Sequence, residues 1–311
     1  MFSPLTLPLA ALSPTVVAML EMVPITIAVI FYWHRAMNLS WDGRPVPAWR
    51  QICFGSGMFL LAFVLFSPLG YLAEELVIFH MIEHLIISDV ASLLVVLGLT
   101  KSILQPILAI PLFNRMQILA TPVISFALWS LNLFFWHIPE MYDAAYGGAL
   151  IHGVEHGAFF MFGVLMWMPV FGPLPTPSWF GPGWKIIYVV VARFTAGILG
   201  NVLMWTQYEL YTKYAEGRRK WGLDAVEDQS IAGVVMMMEG IFFILGVLAW
   251  TYFRSAKQSM RKQDLIDLAF TSGVDIDEER IDRAVRSGHD ELLEKRIREQ
   301  AKGTDSDQTV R

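Results

Sequence analysis

Long apolar runs, broken at intervals by proline, glycine and charge, dominate the first 253 residues. A helix rises about 1.5 Å per residue, so about 20 apolar residues cross a hydrocarbon core about 30 Å thick. Seven stretches meet that length, near 14–33, 52–69, 77–98, 117–137, 152–171, 185–205 and 231–253. The breaks hold Pro45 and Pro47, Pro106 and Pro111, Pro173 to Pro182, and the charged run Lys213 to Asp228. Pro24 falls inside the first span and predicts a kink there. The pattern predicts an all-α integral membrane protein, a bundle of seven transmembrane helices. Beyond it the period shortens into amphipathic helices near Asp264–Phe270, Asp277–Val285 and Asp290–Gln300. Ile281, Val285, Leu292, Leu293 and Ile297 supply their apolar faces.

Composition sharpens that division. Only 16% of the 311 residues are charged, against about 25% in a soluble domain. Residues 254–311 hold 12 of the 23 Lys and Arg and 13 of the 28 Asp and Glu. A membrane domain over 1–253 and a charged, solvated, helical cytoplasmic tail over 254–311 follow. The net charge of −5 averages two environments; membrane lipid is the expected surrounding, and no nucleic-acid partner is expected. The single Cys53 excludes an intrachain disulfide. Met1 to Ala11 carry no Lys or Arg, so the first span reads as retained rather than as a cleaved signal.

Loop charge sets an orientation. Arg35, Arg44 and Arg50 occupy the first connection, Lys101 and Arg115 the third, and Arg254, Lys257, Arg261 and Lys262 the C-terminal flank. The second offers Glu74 and Glu75 and the fourth Glu140 and Asp143, with no base. The N-terminus is therefore expected outside and the C-terminus inside. The sixth connection dissents with Lys213, Arg218, Arg219 and Lys220, which share it with five acids.

Five of the seven histidines fall at the expected outer face. His80 and His84 open span three, His152 and His156 open span five, and His137 closes span four. Residues four apart share a helix face, which lets two imidazoles converge on one ion. Each pair encloses a glutamate in the motif His-x-x-Glu-His, at Glu83 and Glu155. A carboxylate is costly in an apolar helix, so these two are expected to orient an imidazole or balance a cation. For a single pair, a polar helix end at the interface is an equally good account; two pairs and His137 together favour a site. Met204 and Met236 are candidate thioether ligands, with Met81 and Met141 near, although methionine is also an ordinary core filler. Imidazole with thioether suits Cu(I); imidazole with carboxylate suits Zn(II) or Cu(II). A haem held between His84 and His156, making an electron carrier, and a zinc hydrolase using one glutamate as base remain open alternatives. Deeper in the membrane, Asp89 and Arg193 fall at the same depth and should pair, with Glu239 near enough to join.

These residues resemble a known family, the polytopic CtaG-type cytochrome c oxidase assembly factors linked to caa-type oxidases. The matching stretches are Phe79-His80-Met81-Ile82-Glu83-His84-Leu85 with Leu93 to Gly98, Trp136 to Ala145, Ile151 to His156, Pro169 to Pro173, and Asp228 to Gly233 with Met236. The resemblance covers about residues 15–253. It implies a seven-span bacterial plasma-membrane protein needed to form active oxidase, with oxidase subunits as partners and copper as cargo. It points to His80, His84, His137, His152 and His156 as metal positions, with Asp143 and Asp228 beside Glu83 and Glu155 as charge-balancing groups. It brings no catalytic activity.

Overall fold

The computed structural model describes residues 14–308, and every regular element among them is helical. The signal-peptide reading at residues 1–11 lies outside the described residues. In chain order the helices are α1 (Pro14–Trp41), α2 (Ala48–Phe66), α3 (Pro68–Ala73), α4 (Val77–Leu85), α5 (Ser92–Gly98), α6 (Lys101–Leu108), α7 (Pro111–Met116) and α8 (Pro122–Trp136). They continue as α9 (Pro139–Gly147), α10 (Ala149–Phe171), α11 (Pro182–Trp205), α12 (Ala215–Trp221), α13 (Ala225–Thr271), α14 (Glu278–Ser287) and α15 (Asp290–Gln308). Proline starts many of them: α3, α7, α8, α9 and α11 each carry one in the first turn. There its fixed φ suits the helix and its missing N–H costs nothing. Gly222 and Gly288, at φ +68° and +73°, stop α12 and α14 in the left-handed conformation that glycine tolerates.

Two compact units divide the chain, residues 1–244 and 245–311, with α13 contributing to both. In the first unit α10 packs against α5, α8 and α1, and α2 packs against α5. Among the described residues five helices are long and apolar enough to span a membrane: α2, the run Val77–Gly98, α10, α11 and α13. A sixth arises if the bent pair Pro111–Ala120 and Pro122–Trp136 is one span. That pair departs from the uninterrupted helix expected over 117–137. It bends by 80° because Pro122 forces Thr121 into an extended conformation, at ψ 147°. α1 is 28 residues long and contains Pro24. Large apolar side chains such as Phe194, Trp205, Ile241 and Phe242 face outward, as lipid contact requires.

The run Val77–Gly98 is not one regular helix. A π-helical turn, Ile86–Ala91, joins α4 to α5. Such turns shift side-chain phase and cluster at functional positions. Here it places Asp89 on the side of its helix occupied by His84, five residues earlier, and both line one small cavity. Gly163 of α10 lies against this turn; any Cβ there would overlap the Ser88 carbonyl.

The second unit has its own core of Leu265, Ala269, Ile281, Val285, Leu293 and Ile297. The expected separate helix at 264–270 is instead the end of α13. Leu292, expected on the apolar face, is exposed. Arg261 donates to Asp290 at 2.8 Å and to Glu294 at 2.6 Å, tying α13 to α15.

Candidate functional site

The two His-x-x-Glu-His motifs lie on α4 and α10 and meet face to face. Helical spacing brings His80 and His84 to 4.2 Å between ring centroids, and His152 and His156 to 4.1 Å. Across the helices, His80 stacks on His152 at 5.6 Å and His84 meets His156 edge-on at 5.5 Å. The glutamates cross over. Glu155 of α10 lies 3.9 Å from His84 Nε2, and Glu83 of α4 lies 3.8 Å from His156 Nε2. Each helix thus supplies the carboxylate for the other helix's second histidine.

One ligand atom from each of His80, His84, His152 and Glu155 lies within 4.8 Å of the others, and the same holds for Glu83, His152 and His156. His80, Glu83, His84, Glu155 and His156 are buried; His152 is half-buried and is the most open histidine of the four. His80 Nε2, both nitrogens of His84 and His152 Nε2 have no hydrogen-bond partner. A buried polar atom left so costs about 1–3 kcal/mol. Several in one place, converging on a shared volume, fit a metal ion: its bonds would use the lone pairs that hydrogen bonds do not.

Glu21 of α1 adds a third carboxylate, 3.5 Å from His156 Nδ1. A lone acid inside an apolar helix is a signal legible in the sequence, but nothing in residue order ties Glu21 to His156. Glu21 and His156 also line an apolar cleft of 420 Å³ between α1, α2 and α10.

The remaining expected site residues take other places. His137 is not in the imidazole group; its Nδ1 bonds the Leu133 carbonyl at 2.8 Å and its Nε2 faces Met81 Sδ at 3.4 Å. Asp228 was expected to balance charge. Instead its two oxygens accept from Val77 N at 3.0 Å and Ile78 N at 3.1 Å, capping α4 from another helix. Asp143 lies outside both ligand groups, with a buried Oδ1 that has no hydrogen-bond partner. Met236 lines the small cavity with His84, Met81 and His137. Met204 is absent from that lining, and its backbone carbonyl accepts from Ser230. Asp89 and Arg193 pair at 2.6 Å, and Glu239 joins Arg193 at 3.1 Å. Trp129, Trp167 and Phe243 surround the guanidinium.

Tyrosines close the end of the cluster. Tyr142 lies 4.9 Å from His80, stacks on Tyr211 at 3.9 Å and bonds Tyr214 at 2.9 Å. Tyr211 bonds the His137 carbonyl, and Tyr146 bonds the Glu74 carbonyl. Lys220 and Trp221 of α12 bond Glu75, which holds that half-buried carboxyl down at about 2. The second, fourth and sixth connections therefore meet at one end. Two of the four bases of the sixth are answered there by acids, Arg218 by Glu209 and Lys220 by Glu75.

A helical bundle with apolar spans and a buried histidine–glutamate cluster at one end defines a polytopic membrane protein with a preformed polar site. The sequence model of the cytochrome c oxidase caa3 assembly factor family (Caa3_CtaG) matches residues 29–258, and the chain belongs to that family. No curated protein and no solved structure matches it.

Proposed function

We propose that this assembly factor binds copper in the cluster of His80, His84, His152 and His156 and delivers it to an oxidase subunit during assembly. The observation that carries the reading is two overlapping groups of ligand atoms, His80, His84 and His152 with Glu155, and His152 and His156 with Glu83, in which several buried nitrogens have no hydrogen-bond partner. Neutral imidazole is a good ligand for copper, and the carboxylates offset its charge. His152, half-buried, is where the ion would exchange. No side chain is assigned a catalytic role.

The same reading places seven spans in a bacterial plasma membrane, with α1 as the first and the bent α7–α8 segment as the fourth. Arg50 bonds the carbonyls of Leu97 and Leu99, and Arg35 bonds that of Ser102. These arginines gather where the first and third connections meet, which supports that end as cytoplasmic. The histidine cluster then opens to the outer face, with the N-terminus outside and the C-terminus inside.

Metal and haem analysis of the detergent-purified protein tests the function. The wild type should carry at least one copper per chain, and His84→Ala and His156→Ala should each lower that content. Copper content unchanged in both variants, or haem in the wild type, would overturn the reading.

A further inference from the structure

A second group of ligand atoms lies beside the cluster. Nδ1 of His137 is 2.8 Å from the Leu133 carbonyl oxygen. A carbonyl can only accept, so Nδ1 carries the hydrogen, and Nε2 of the neutral ring is a bare lone pair. That lone pair faces Met81 Sδ at 3.4 Å. A thioether has no hydrogen to give. Two acceptors therefore confront each other in a buried place, an arrangement that a cation between them would satisfy. Bonds of about 2.0 Å to nitrogen and 2.3 Å to sulfur, at a tetrahedral angle, set such donors about 3.5 Å apart. An Nδ1–H bonded to a backbone carbonyl is also the usual support of a metal-bound imidazole.

The surroundings suit one small, soft ion. Met81, His137, His84 and Met236 line a void of about 20 Å³, enough for about one small occupant. Asp89 reaches the same void, but Arg193 and Ser88 occupy its oxygens. Two thioethers and an imidazole are soft donors of the kind that select Cu(I).

We propose that Met81, His137 and Met236 form a second, soft-donor site for one Cu(I) ion, adjoining the imidazole–carboxylate cluster through His84. This rests on the copper reading above and extends it. The cluster exchanges the ion with the aqueous side, the thioether site holds it in the reduced form, and His84 is the ligand common to both. The transfer exchanges ligands and needs no electron.

X-ray absorption and metal analysis of the full-length protein in detergent, loaded anaerobically with Cu(I), test this. The wild type should hold about two copper ions per chain, with sulfur neighbours near 2.3 Å. Met81→Leu with Met236→Leu, a change that conserves core volume, should lose one ion and the sulfur shell. His152→Ala with His156→Ala should lose one ion and keep the sulfur shell. One ion with nitrogen and oxygen neighbours only, in the wild type, would overturn the second site and leave the cluster standing. No bound copper at all would overturn both. A sulfur shell that survives the paired methionine changes would overturn the residue assignment. The wild-type spectrum decides the main point even where a variant fails to fold.

Discussion

Asp228 caps α4 although 150 residues separate it from Ile78. The first N–H groups of a helix have no partner within it, and a buried helix start needs acceptors from elsewhere. Asp228→Ala removes both and should cost about 1–2 kcal/mol, lowering the thermal midpoint in detergent and loosening copper through His80 and His84. Asp228→Asn keeps an acceptor and should fall between alanine and wild type. Equal loss in the two variants would refute capping as the cause. Arg193 poses a different residue-scale problem. Arg193→Met leaves the buried Asp89 and the half-buried Glu239 without a counter-charge, a change worth about 3–5 kcal/mol. Adding Asp89→Asn and Glu239→Gln should recover most of it in denaturation experiments, because the cost lies in the stranded charges.

Among elements, the π-helical turn Ile86–Ala91 has the largest consequence. In a regular α-helix, residues five apart point about 140° away from one another; this turn sets His84 and Asp89 along one cavity. α10 presses on it at Gly163, whose lack of a side chain allows contact with the Ser88 carbonyl. Gly163→Val should force the two helices apart. A loss of about 1–3 kcal/mol is expected from overpacking, with copper retention reduced because α4 and α10 carry the two histidine pairs. A melting curve and metal content equal to wild type would show that the contact is not limiting. The expected span at 117–137 bends by 80° at the extended Thr121 before Pro122; the proline is legible in the sequence, and the size of the bend is not.

At the scale of the whole chain, the unit 245–311 folds around its own core and is held by Arg261 between Asp290 and Glu294. The Arg261 guanidinium lowers the pKa of the Asp290 carboxyl, and Arg298 together with Arg261 lowers that of Glu294. Lowered carboxylates contribute stability above the ordinary values near 4 and lose it as the pH falls through their own. Amide hydrogen exchange of α14 and α15 in the full chain should therefore accelerate on acidification below about pH 4. Arg261→Gln should flatten that dependence. An unchanged acid response in the variant would assign it to other groups. The match to the family over 29–258 includes the start of this unit and omits its core.

The sequence by itself determined the helical class, five or six of the seven expected apolar spans, the pairing of Asp89 with Arg193, and the family. Each depends on local spacing or on the cost of a charge in hydrocarbon, and both are written in residue order. It also marked His80, His84, His152 and His156, because a four-residue spacing fixes a common helix face. Tertiary structure decided which atoms meet. It crossed Glu83 to His156 and Glu155 to His84, brought Glu21 in from α1, turned Asp228 into a cap, and set His137 against Met81. Those contacts join helices distant in sequence, and their geometry is set by how helices pack, by a π turn and by glycine contacts. No periodicity along one helix encodes the side chain that a neighbouring helix will present to it.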